Sequence, residues 1–162
     1  MGLRNWLNKN SGVSTFIVIL MLVIAAGVLF SNTARTNDKA MTYFYDLNSR
    51  SIIADTASRE VPFDNGNGMF MYVDGERGSV VPALIYTCGS PEEVRSGMTV
   101  EELDRVGAFV LAVFYTTQNS DQLVANPKAM QWFPTQSMAA SAIYDAIGTR
   151  CEGKKAVRCL PQ

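Results

Sequence analysis

Ala108-Phe-Val-Leu-Ala-Val-Phe-Tyr115 is an eight-residue run without a charge, an amide, a glycine or a proline. It is far shorter than the roughly 20 residues a helix needs to cross a bilayer, and its aromatic and β-branched content suits a strand. A strand apolar at every position must be covered on both faces, so the run predicts the central strand of a two-sided core. The rest of the domain is read outward from it.

Immediately upstream, Thr99-Val-Glu-Glu102 has the spacing of a capping box, with a hydroxyl at the N-cap and a glutamate three residues on, and Gly107 is placed to stop the helix. Ser90-Pro91-Glu92-Glu93 repeats this grammar with proline at the first helical position, predicting a second short helix that ends at Gly97. Further back, Met69-Phe-Met-Tyr-Val73 and Val80-Val-Pro-Ala-Leu-Ile-Tyr-Thr87 read as a hairpin joined through Asp74-Gly75 and closed by Gly78. Pro82 cannot donate to a ladder, so it predicts an edge position or a bulge. Met41-Thr-Tyr-Phe-Tyr45 and Ser51-Ile-Ile-Ala54 form another hairpin, reversed by the turn residues Asp46-Leu-Asn-Ser-Arg50, and the polar stretch from Thr56 to Gly68 reads as a loop.

Downstream of the central run, a polar connection over Thr117–Asp121 leads to a weak helical turn reaching Ala125, which Asn126-Pro127 stops. Trp132-Phe133-Pro134 reads as an aromatic plug on the core. Ser137 to Ile147 predicts a helix with Met138, Ala142 or Ile143, and Ala146 or Ile147 on one stripe, and Gly148 as terminator. The expected fold class is therefore α+β: a mainly antiparallel sheet of about five strands with the C-terminal helix packed on it.

The N-terminus is of another kind. Val13 to Phe30, VSTFIVILMLVIAAGVLF, contains no charged, amide or proline residue, and at 1.5 Å per residue a helix of this length covers about 27 Å, close to the hydrocarbon thickness. Arg4 and Lys9 precede it without an acid, whereas Arg35 and Lys39 after it are accompanied by Asp38 and Asp46, which places the N-terminus in the cytoplasm. A cleaved signal peptide has the same layout, but Asn32-Thr33-Ala34 fits a small-x-small site poorly, so an uncleaved anchor is the preferred reading. The expected organisation is a cytoplasmic stub over 1–12, a transmembrane helix over 13–31, a linker over 32–40 and an extracytoplasmic domain over 41–162.

The chain has 162 residues, a formal net charge of −1 and no histidine. Histidine-dependent nucleophile pairs, histidine-ligated zinc and haem with an axial histidine are thereby excluded. An enzyme would have to use carboxylates, lysine, tyrosine or a lone thiol. Glu92, Glu93, Glu101, Glu102 and Asp104 are the densest carboxylate group, yet acids in a helix's first turn already serve its cap and dipole. Asp64-Asn-Gly-Asn-Gly68 lacks the ligand spacing and closing glutamate of a calcium loop and reads as a flexible turn. Tyr43, Tyr45, Tyr72, Tyr86 and Tyr115 fall on predicted strands and read as sheet residues. No catalytic, cofactor-binding or metal-ligating residue is assigned, and no cofactor is implied. Of the three cysteines, Cys151 and Cys159 flank a short polar loop and are the disulfide candidates, while Cys88 could be a buried apolar residue, a partner of a tail cysteine, or a reactive thiol.

The order of basic stub, anchor, Tyr43-Phe-Tyr-Asp-Leu-Asn48, Val61-Pro62-Phe63 and Val81-Pro-Ala-Leu-Ile-Tyr-Thr-Cys88-Gly89 resembles small membrane-anchored envelope proteins of planctomycete-type bacteria. The resemblance covers about half of the chain, implies an envelope location and supplies no activity. The functional expectation is a non-enzymatic binding or scaffolding module of the cell envelope on the inner (cytoplasmic) membrane. Its expected partners are the lipid bilayer and either another envelope protein or a second copy, with no nucleic acid. The alternative is a carboxylate- or thiol-dependent envelope enzyme.

Overall fold

The computed structural model describes residues 19–27 and 40–162, in two units divided at Ala40. Residues 19–27 are helical, and no helix among the described residues is long and apolar enough to cross a membrane. The stub, half of the expected 13–31 span and nearly all of the linker lie outside the described residues.

The second unit contains strands β1 (Met41–Asp46), β2 (Ser51–Thr56), β3 (Met69–Tyr72), β4 (Gly75–Gly78), β5 (Val80–Thr87), β6 (Ala108–Thr116), β7 (Gln122–Ala125), β8 (Trp132–Pro134) and β9 (Val157–Arg158). Two α-helices accompany them, α1 (Val100–Arg105) and α2 (Met138–Arg150). The class is α+β, as the sequence predicts, with a seven-stranded sheet in the order β2-β1-β5-β6-β7-β8 and β9 added beside β5. Every pairing is antiparallel.

The apolar run forms β6, and it is buried on both sides. Ile85 and Leu84 of β5 oppose Val110 and Ala112, so Leu111 is an extra residue that bulges the strand. Strict alternation would put 110 and 112 on one face. Because of the bulge, Val110, Val113 and Tyr115 join one core cluster while Phe109, Leu111, Ala112 and Phe114 join the other. The first cluster lies under α1, where Leu103 is fully buried; the second lies under α2, which contributes Ala140 and Ile143. The capping box of α1 forms, with Thr99 Oγ1 accepting from Glu102 N and Glu102 Oε2 accepting from Thr99 N, and Gly107 follows at φ +70°.

Several expectations are corrected. Val80–Thr87 does not pair with Met69–Val73. The chain reverses at Val73-Asp74 and returns at once as Gly75–Gly78, giving a separate two-stranded β3–β4 hairpin. This frees β5 to run inside the main sheet, with Pro82 at the point where pairing to β1 ends and pairing to β6 begins. Gly78 is required because a Cβ there would run into the backbone of Phe63. Gln122–Ala125 is a strand rather than a helical turn, since it continues the β6 hairpin and buries Val124 and Ala125. The segment after Ser90 makes only a 3-10 turn, Pro91–Glu93, with no side-chain cap. Helix α2 passes through Gly148 to Arg150, and its buried residues are Ala140 and Ile143, leaving Met138 exposed.

The disulfide expectation is corrected too: Cys88 pairs with Cys151, and Cys159 is free and buried. The sheet explains why. The tail pairs as β9 with Tyr86 and Thr87, and Cys159 N donates to Ile85 O, which carries Cys159 into the cluster under α1. Cys151, at the end of α2, lies in the opposite cluster, with Cys88 packed against it.

Candidate functional site

Tyr45 and Asp46 are consecutive residues at the end of β1, 2% and 0% exposed. Their polar groups are treated oppositely. The Asp46 carboxylate accepts hydrogen bonds from Asn48 N (3.0 Å), Ser49 Oγ (2.6 Å), Asn65 Nδ2 (3.2 Å) and Asn67 Nδ2 (2.5 Å). The buried Ser79 hydroxyl makes no hydrogen bond among the described residues. Burial alone would raise the Asp46 pKa, but these donors outweigh it and hold the carboxyl well below its ordinary value. The expected flexible turn at 64–68 is thus tied down: its asparagines bind Asp46, and Asp64 Oδ1 accepts from Gly66 N and Gly68 N.

The Tyr45 hydroxyl, by contrast, has no hydrogen-bond partner among the described residues, and the side chain lines a cavity of about 210 Å³. Burial, offset in part by nearby Arg50 and reinforced by Glu101 and Asp46, pushes the phenol up to about 12. It is therefore a neutral donor and acceptor throughout the physiological range.

The cavity exists because β7 pairs only with residues 113–116 of β6, leaving the first half of β6 without a strand on that side. Phe109 and Val110 from this uncovered stretch meet Val100, Glu101 and Asp104 of α1. Pro127 and Lys128 come from the turn after β7, where Asn126 Oδ1 accepts from Lys128 N. Arg150 closes α2 with its guanidinium over the Phe109 ring, 4.7 Å from the centroid, and Arg50 comes from the β1–β2 turn at φ +55°. A second hollow of about 430 Å³ shares Asp104, Phe109, Lys128 and Arg150 and reaches the Cys88–Cys151 bridge. Three cations and two acids thus line the cavity, and none of the five forms an ion pair among the described residues.

Such a set can bind polar groups of both signs. Guanidinium and ammonium groups take oxyanions, carboxylates take ammonium groups, and the phenol can serve either. The phenol itself is poorly matched to proton transfer, because burial pushes its pKa away from the working range of a general acid or base. Of the acids singled out in the sequence, Glu101 and Asp104 reach the cavity, Glu102 is engaged in the α1 cap, and Glu92 and Glu93 sit on the 3-10 turn away from it. Cys88 is held in the disulfide. Tyr45, Arg50, Lys128 and Arg150 were not legible as a site, because they come from four separate segments and carry no motif. Tyr72 and Tyr115 are buried and stacked at 4.1 Å, and the half-buried Trp132 packs against both, as the aromatic plug on the core predicts.

Compared with protein-family models, with curated proteins and with solved structures, the chain has no match.

Proposed function

We propose that the chain is a single-pass membrane protein of the bacterial envelope whose extracytoplasmic domain binds a partner or ligand in the Tyr45 cavity without transforming it. The observation that carries the binding reading is Tyr45, whose hydroxyl makes no hydrogen bond among the described residues and whose side chain lines a cavity together with five unpaired charged groups. The binding reading is preferred over the enzyme because Cys88 is held in a bridge and the phenol is too weak an acid for turnover near neutrality. The anchor rests on the apolar run of 13–30 and its basic stub, and a disulfide between Cys88 and Cys151 suits an extracytoplasmic compartment.

The test is to crosslink intact cells, extract the full-length protein in mild detergent and identify what co-purifies. A specific partner is expected, recovered less well by the Arg50→Gln/Arg150→Gln double variant. Protease added after outer-membrane permeabilisation should remove the domain while the first residues stay protected. A mature chain starting near Arg35 would contradict the anchor, and equal recovery of the partner by the double variant would contradict the site.

A further inference from the structure

Resting on the binding reading above, the geometry points to a small zwitterion as the occupant of the Tyr45 cavity: an amino acid or short peptide presenting a carboxylate and an ammonium group. Size gives the first argument. Pockets that enclose drug-sized molecules run from about 300 Å³ upward; this one, at about 210 Å³, suits a small molecule, and the adjoining hollow of about 430 Å³ gives a longer one, such as a short peptide, room to extend toward the disulfide.

Charge gives the second. Arg50, Lys128 and Arg150 supply the positive groups, with Arg150 fixed over the Phe109 ring. Guanidinium groups are suited to a carboxylate, which they can grip through parallel N–H donors. A simple anion, however, would also meet the unpaired carboxylates of Glu101 and Asp104 in the same cavity. Glu101 and Asp104 are exposed, so this repulsion is screened by water and weighs modestly against a bare anion. An ammonium group on the same ligand converts that repulsion into attraction. With one more cation than acid in the lining, a zwitterion carrying a second carboxylate complements the cavity better than one without.

The third argument is the hydroxyl. Tyr45 is nearly inaccessible except through this cavity, and its oxygen can donate to a carboxylate or accept from an ammonium. Arg50 and Glu101 both act electrostatically on it, so groups of either sign sit beside the same phenol.

The experiment is calorimetric titration of the intact, detergent-solubilised protein with glutamate, glycine, alanyl-alanine, N-acetylglutamate and acetate. Free amino acids binding better than alanyl-alanine assign the free molecule, and the reverse order assigns a peptide. In either case glutamate should bind more tightly than glycine, and N-acetylglutamate, which keeps both carboxylates but loses the ammonium, should bind at least fivefold more weakly than glutamate. Glu101→Gln should erase most of that difference, and Tyr45→Phe should weaken glutamate about fivefold with the melting temperature unchanged. Equal or tighter binding of N-acetylglutamate overturns the zwitterion in favour of a plain oxyanion. No binding of any probe, while a crosslinked partner is still recovered, overturns the ligand assignment and leaves the binding module standing. Glutamate binding with no partner recovered sustains the assignment and removes the protein-scaffold form of that reading.

Discussion

Two neighbouring residues on β1 divide the molecule into a region that is closed and a region that is open. Around Asp46 four donors turn inward, and Asn48 Nδ2 donates onward to Asn67 O and Gly68 O, so the β1–β2 turn and the 64–68 loop become one body. Around Tyr45 the charged groups from α1, α2 and two turns approach without pairing. Both residues are buried, so residue burial does not distinguish them, and what differs is the hydrogen bonding. The Asp46 carboxylate accepts from four donors, whereas the Tyr45 hydroxyl lines an open cavity and makes no hydrogen bond among the described residues.

The largest effect should come from cutting the covalent tie on the open side. The Cys88–Cys151 bridge closes a separation of 63 residues, and Arg150 precedes the second cysteine. Cys88→Ser should cost about 4 kcal/mol in denaturant unfolding, against about 2–3 kcal/mol for a bridge closing a short loop. Cys159→Ser should leave the bridge intact. Non-reducing peptide mapping checks the pairing directly, and a Cys151–Cys159 peptide would refute it.

Next comes Asp46→Ala, which removes the shared acceptor of four part-buried hydrogen bonds and should cost about 2–3 kcal/mol by the same unfolding measurement. The pH dependence has a definite sign. The folded-state pKa of Asp46 is depressed, so its contribution is complete above the ordinary aspartate value of about 4 and is lost as pH falls below it. Asp46→Asn should remove that part of the acid sensitivity. If the variant loses stability between pH 5 and pH 2 as steeply as the wild type, the closed region is not organised by this carboxylate.

The frame of the fold was partly legible in the sequence, and the surroundings of Asp46 and Tyr45 were not. The apolar pattern of 108–115 announced a doubly covered strand, and the Thr99/Glu102 spacing announced the α1 cap, because both are local signals. The bulge at Leu111 was not, since nothing in an all-apolar run marks which residue is extra. Gly75–Gly78 looked like loop because glycine and charge usually punctuate strands, yet a two-residue reversal before it made it the second arm of a hairpin. Spacing misplaces the disulfide because Cys151 and Cys159 are near along the chain but not in space: β9 puts the sheet between them. For the cavity there was no local signal at all: it is the gap left where β7 stops pairing with β6, and the residues around it share only a place in the fold.

The smallest effect on stability belongs to the residue on which the account depends most. Tyr45→Phe removes a hydroxyl that makes no hydrogen bond among the described residues, so unfolding free energy should change by less than about 0.5 kcal/mol. The decisive measurement is recovery of the crosslinked partner by this variant, made beside its denaturation curve. The account predicts an unchanged curve and a several-fold loss of partner. An unchanged curve with full recovery, or a stability loss above about 1 kcal/mol, would contradict the claim that the Tyr45 hydroxyl is held open for a ligand.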